Sequence, residues 1–169
     1  CDIEDVFFLM PDWSLHLDPA TLKSELEKRP EILSVGLTKC VPSSLMGMEY
    51  RSESGDQIYI TVLECSKEAF DIFGFEMMTV NDPDDYTGVW MTPESAKTES
   101  IYPEDFKKML SRQFGDYRIA GMINDIPTAG GQNNIDDFPA IVVVRNIDYN
   151  AMAIKTVSDH GKARRVIAE

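Results

Sequence analysis

Three cysteines, Cys1, Cys40 and Cys65, and two histidines, His16 and His160, are the side chains of this sequence best suited to covalent or metal chemistry. Cys65 comes first, because it stands just before a helix-opening Ser66, and a helix N-terminus lowers a thiol pKa toward the reactive thiolate. Its neighbours act the other way. Glu64 and Glu68 flank it and oppose a thiolate, and Lys67 is the one nearby base in sequence. The balance is that of a structural cysteine, since a free thiol commonly packs as a small hydrophobe. A disulfide with Cys40 would need the two Cα atoms within about 7 Å. If the strands ending at Cys40 and Cys65 are hairpin partners, the two residues fall at opposite ends, on the order of 20 Å apart at ~3.3 Å per residue. Both are therefore expected to be free.

Neither histidine sits in an HxxxH or HExxH spacing, so a zinc site has no support. Asp82, Asp84 and Asp85 resemble a calcium loop only superficially, lacking the DxDxDG spacing and the distal glutamate. A solvated turn is the expectation there, and also for Asp136 and Asp137 beside Asn133 and Asn134. Gly130-Gly131 fits neither phosphate-cradling glycine pattern. Nine methionines are present, among them Met46, Met48, Met77 and Met78. Their soft thioethers could meet a partner or Cu(I), although core filling is the plainer use. No catalytic residue, metal site or cofactor is assigned.

The elements that would position these residues follow from patterning. Val6 to Met10 reads as a strand, and Asp18-Pro19 opens a helix with Leu22 and Leu26 on one face, closed at Pro30. Ile32 to Val41 alternates as a strand that Pro42 ends. The polar stretch from Pro42 to Gln57 is expected to be a long, mobile hairpin connection. Ile58 to Cys65 is a β-branched strand, and Ser66 caps a helix that Gly74 closes. An apolar strand, the acidic turn NDPDDYTG and a strand at VWM lead to a second capped helix at Thr92-Pro93-Glu94. Tyr102-Pro103 starts another, with Phe106, Met109 and Leu110 at helical spacing. Arg118 to Ile123 and Ile141 to Arg145 read as strands, with a loop from Pro127 to Pro139 between them.

The opening order β-α-β-β-α is that of a split βαβ, ferredoxin-like unit that still needs a closing strand. Ala151 to Val157 is the best candidate, followed by a terminal helix capped by Ser158 with Ala163, Val166 and Ile167 on one side. The expected fold is α+β: a ferredoxin-like (split βαβ) porter-type lobe from 1–88 and 147–169, with an inserted mixed α/β lobe over 89–146.

Composition bounds the function. The chain has 169 residues, 43% hydrophobic and 27% charged, the balance of a folded domain. Its net charge of −13, from 29 acids against 16 bases, repels a phosphate backbone and an anionic membrane, so nucleic acid is excluded as a favoured partner. No stretch approaches the ~20 apolar residues of a membrane span. The N-terminus lacks the basic flank and apolar core of a signal peptide. A start at Cys1 rather than Met is expected of an excised or processed piece.

The segments ILSVGLTKCVP, VLECSKEAFDIFGFEMM, GVWMTPESAK, YRIAGMINDIP, a downstream FPAIVV, and AMAIKTVSDHGKARRVIAE, in that order and spacing, resemble the MacB-like periplasmic core domain of FtsX-type ABC transporter permeases. The resemblance covers most of the chain from about Ile32 onward. Where members usually carry a Gly-Arg pair after the apolar strand, MMTVNDPDD stands here. The resemblance implies a two-lobed periplasmic domain, on the outer face of the bacterial inner membrane, that relays motion without catalysis. It implies an ABC ATPase reached through membrane helices absent from this segment, a periplasmic protein partner or cargo, and a homodimer in the intact permease. No ATP-binding motif is present.

Contact residues are expected on the two polar loops, because loops on a rigid scaffold commonly carry recognition. They are Leu45, Met46 and Met48, expected to be exposed, and Gly130, Gly131 and Asn133. Two other readings stand beside this one: a thiol-dependent enzyme using Cys65, and a stand-alone ligand-binding domain with a closed apolar pocket.

Overall fold

The structure, a computed structural model, describes residues 5–11, 18–126, 139–146 and 150–157. The strands are β1 (Val6–Leu9), β2 (Ile32–Thr38), β3 (Met46–Arg51), β4 (Gln57–Cys65), β5 (Met77–Val80), β6 (Gly88–Met91), β7 (Ile119–Ile123), β8 (Ala140–Val144) and β9 (Ala151–Thr156). The helices are α1 (Pro19–Glu27), α2 (Lys67–Phe73), α3 (Pro93–Ile101) and α4 (Pro103–Phe114). All strands join one nine-stranded mixed sheet in the order β1-β9-β2-β4-β8-β6-β7-β5, with β3 also on β4.

The helix starts follow local chemistry. Asp18, Ser66 and Thr92 each accept an N–H from three residues on, capping α1, α2 and α3. Gly74 ends α2 at φ 58°, a left-handed conformation that glycine reaches without a Cβ penalty.

The distant strand expected to close the sheet does so. β9 lies between β1 and β2, antiparallel to both, with Phe7 opposite Ile154 and Val35 opposite the same residue on the other side. β1 and β2 therefore run parallel with β9 between them, and α1 makes the crossing: the split βαβ expected from the sequence.

β3 was not expected. The segment from Pro42 to Gln57 is not a mobile connection but a short 3₁₀ turn at Pro42–Ser44 followed by a strand paired with β4 from Met46↔Val62 to Arg51↔Gln57. β2 meets β4 at Thr38↔Cys65 only, while β8 holds the opposite edge of β4 from Thr61 to Cys65. β2 and β3 thus lie end to end along one edge of β4, broken at the proline turn. This corrects the hairpin assumed for Cys40 and Cys65. Cys40 lies just past the Thr38–Cys65 bridge, its Sγ 3.9 Å from the Val62 carbonyl, not a strand-length away. Both cysteines are free, as expected.

Two layers of helix bury the middle of the sheet. Ala69, Phe70, Ile72 and Phe73 of α2 pack with Leu63, Cys65, Trp90, Val142 and Val144. Phe106, Met109, Leu110 and Phe114 of α4 pack with Ile58, Ile60, Val62, Val89, Ile141 and Val143. Each such buried side chain is worth roughly 1.5–3 kcal/mol against an exposed reference. Parallel β4 and β8 are thereby covered on both faces, which is why β8 reads as the unbroken apolar run AIVVV. Leu22 and Leu26 of α1 join Phe7, Leu9, Val35, Met152 and Ile154 in a third cluster. Strands β6, β7 and β8, from the 89–146 segment, are hydrogen-bonded to β4 and β5 of the 1–88 segment. The terminal helix expected from Ser158 lies outside the described residues.

Candidate functional site

β3 owes its orientation to alternation. Met46, Met48 and Tyr50 are half-buried and Gly47, Glu49 and Arg51 exposed. Gly47 is required by a close approach: a Cβ there would lie 1.9 Å from the Tyr59 hydroxyl. The β3–β4 tip is clasped to α4 by the Lys108–Glu53 ion pair and by the Tyr102 hydroxyl, which donates to Asp56. The Asp56 charge, with that hydrogen bond and some burial, raises the Tyr102 pKa. Between β3 and α4 an open groove of about 380 Å³ is lined by Met46 to Tyr50 on one wall and Met109, Arg112 and Gln113 on the other.

The expectation of an exposed tip at Leu45, Met46 and Met48 is therefore corrected. Leu45 packs against the α2-side core and Met48 against the α4-side core. The strand pairing of β3 turns these side chains inward, leaving their edges for the groove. Gly130, Gly131 and Asn133 lie outside the described residues, as do Cys1, His16, His160, Asn134, Asp136 and Asp137.

Sequence reasoning passed over Glu64. Its carboxylate is fully buried and held by three charge-assisted hydrogen bonds: from Lys39 Nζ at 3.0 Å, and from Arg145 Nε at 3.0 Å and Nη2 at 2.6 Å. Arg145 also lies over the Phe114 ring, 5.1 Å from its centroid. The trio ties the ends of β2, β4 and β8 together. A signal existed, because Glu64 continues the Ile58, Ile60, Val62 face of β4, where an acid without a nearby base in sequence implies distant partners. Beside it, Arg145 lines a second open cleft of about 350 Å³ with Phe114, Tyr117, Arg118, Thr87 and Gly88.

Cys65 is fully buried, and its pKa is raised well above the ordinary thiol value by burial first, then by Cys40, Asp71 and Glu64. A buried, protonated thiol is a poor nucleophile. The acidic turn is internally committed. Asp82 accepts the Asp84 N–H at 3.0 Å, and Asp85 accepts from the Thr87 N–H and hydroxyl. Arg118 pairs with Asp85 at 2.7 Å and Asp82 at 3.6 Å. Among the described residues no three His, Cys, Asp or Glu side chains are grouped to hold a metal ion, and no helix is long and apolar enough to cross a membrane.

No family model and no curated protein matches the sequence. Solved structures do match in shape. The periplasmic region of MacB from Actinobacillus actinomycetemcomitans superposes with a TM-score of 0.52 at 13% identity, covering 96% of this chain and 78% of that one. The extracellular domain of YknZ, a noncanonical ABC-type transporter from Gram-positive bacteria, superposes with a TM-score of 0.51 at 10% identity, covering 95% of this chain and 86% of that one. The chain has the mixed α/β fold of these extracytoplasmic ABC-transporter domains, the MacB-like periplasmic fold.

Proposed function

We propose that this chain is the extracytoplasmic domain of an ABC-type permease of the MacB-like class, and that it couples membrane-helix motion to a periplasmic partner or cargo without catalysing a reaction. The observation that carries this reading is the extent of the fold match, 96% and 95% of the chain against domains of two transporters. The protonated, buried Cys65 weighs against the thiol-enzyme alternative, and the two open grooves weigh against a closed ligand-binding pocket.

In this reading the segments 1–88 and 147–169 form the porter-like base and 89–146 the inserted lobe. Force crosses from one to the other along the β4–β8 pairing and the Glu64–Arg145 bond beside it, and along β5–β7. The ATPase lies on another chain or domain, and a homodimer is the working unit. The β3–α4 groove, with Met46 and Met48, is the contact surface on the described residues, and Leu45 supports its floor; Gly130, Gly131 and Asn133 belong to a second contact loop.

Reporter fusions test the placement. Alkaline phosphatase joined at either end of this segment in the full-length gene product is expected to be active, as an extracytoplasmic position requires; activity confined to a cytoplasmic reporter overturns the proposal. Exposed groove substitutions Glu49→Arg with Arg112→Glu are expected to uncouple partner-dependent ATPase stimulation while basal ATPase activity persists. Unchanged stimulation removes the groove as the contact surface.

A further inference from the structure

We propose that β5 accepts an extended, basic-flanked segment of a partner protein as an added strand. β5 ends the sheet, and among the described residues β7 is its one strand neighbour. Its side chains are unusually apolar for an edge: Met77 is 43% exposed, Met78 53% and Val80 37%. Edge strands are ordinarily guarded by lysine, proline or inward charge. The sequence MMTV has none of these, and its guards are its shortness and the register irregularity between Met77 and Thr79. Such an edge offers backbone N–H and C=O groups to an incoming chain, with flexible thioethers to pack against it.

Charge selects the occupant. Glu76 precedes β5, and Asp82, Asp84 and Asp85 follow it. Arg118 takes up Asp82 and Asp85, whereas Glu76 and Asp84 stand in exposed positions with no cation paired to them among the described residues. A second copy is disfavoured. Antiparallel β5–β5 pairing about a twofold axis would set the Glu76 end of one molecule against the Asp82–Asp85 end of the other. Each molecule also carries a net charge of −13. A strand with lysines or arginines at both ends meets an acid at both ends of β5. This surface is separate from the β3–α4 groove, so either can fail alone.

The test uses this chain and two fluorescent peptides with the same alternating valine–threonine core, one flanked by lysine pairs and the other by glutamate pairs. At low ionic strength the lysine peptide is expected to bind roughly tenfold tighter or better, with new hydrogen-exchange protection at residues 77–80. Met78→Lys with Val80→Lys is expected to abolish binding. Glu76→Lys with Asp84→Lys, both on exposed turns, is expected to reverse the preference toward the glutamate peptide while the melting temperature holds. Equal binding of the two peptides, no saturable binding, protection elsewhere than β5, or a concentration-dependent dimer that protects β5 would each overturn the proposal.

Discussion

Glu64 shows how a single buried charge is made tolerable. Desolvating a carboxylate costs several kcal/mol, which two cations and three hydrogen bonds offset. Removing one partner is more damaging than removing the whole arrangement, because the carboxylate stays behind. Breaking a buried pair typically costs about 3–5 kcal/mol. Lys39 remains in place and Arg145 is itself 30% exposed, so solvent screening trims this. Arg145→Ala is expected to lose roughly 2–3 kcal/mol in urea unfolding. Arg145→Lys should recover part, since it restores charge without the planar fork. The double variant Glu64→Leu with Arg145→Met should be more stable than Arg145→Ala. If Arg145→Ala melts like the parent, the trio is ornamental. The two thiols give a second test at this scale. Iodoacetamide at neutral pH is expected to label Cys40 ahead of Cys65, because burial raises both pKa values and Cys65 is the more deeply buried. Labelling of Cys65 in the folded protein at the rate of a free small thiol would revive it as a nucleophile.

At the scale of elements, α2 sits so close on β2 that position 36 has no room for a side chain: a Cβ on Gly36 would lie 2.2 Å from the backbone nitrogen of Ala69. Gly36→Ala must lift the helix, at a cost of about 1–3 kcal/mol for overpacking. A matching fall in melting temperature checks it, and an unchanged one would mean that α2 slides freely. α2 was readable residue by residue, with Ser66 as its cap, Phe70 and Phe73 on its buried face and Gly74 at its end, because each of these acts within one turn of chain. β9 was also readable, since Ala151 to Thr156 is an apolar run too long for a turn and the early strands lacked a partner. β3 was hidden by composition. Serines and glycines on either side made the segment look like loop, although Met46, Met48 and Tyr50 alternate with Gly47, Glu49 and Arg51 as a half-buried strand should. The Glu64 site was hidden for another reason: its partners lie 25 and 81 residues away, beyond any local pattern.

For the whole molecule, the continuity of the sheet decides how the chain should unfold. If 89–146 were a self-sufficient body, it would keep its stability when cut free. Its strand β8, however, bonds to β4 along Thr61–Cys65, and β7 bonds to β5 from Met77 to Val80, so excision strips two edges of their neighbours. It would also expose the faces of Ile141 and Val143 that pack with Ile58, Ile60 and Val62 across the junction. Exposed edges and a halved core both penalise the fragment, while the base would lose the same contacts from its side. The intact chain is therefore expected to unfold in one cooperative transition, with tryptophan fluorescence and far-UV circular dichroism giving coincident curves. Trp90 lies in the α2-side core of the 89–146 segment, beside Phe70 of the base at 4.9 Å, so its fluorescence reports the junction directly. Two separated transitions, with the fluorescence change confined to one, would instead mean that the lobes hold together loosely and that force passes between them through a hinge. A single transition favours a sheet that transmits by twisting as one body, and it predicts that Arg145→Ala lowers the common midpoint without splitting it.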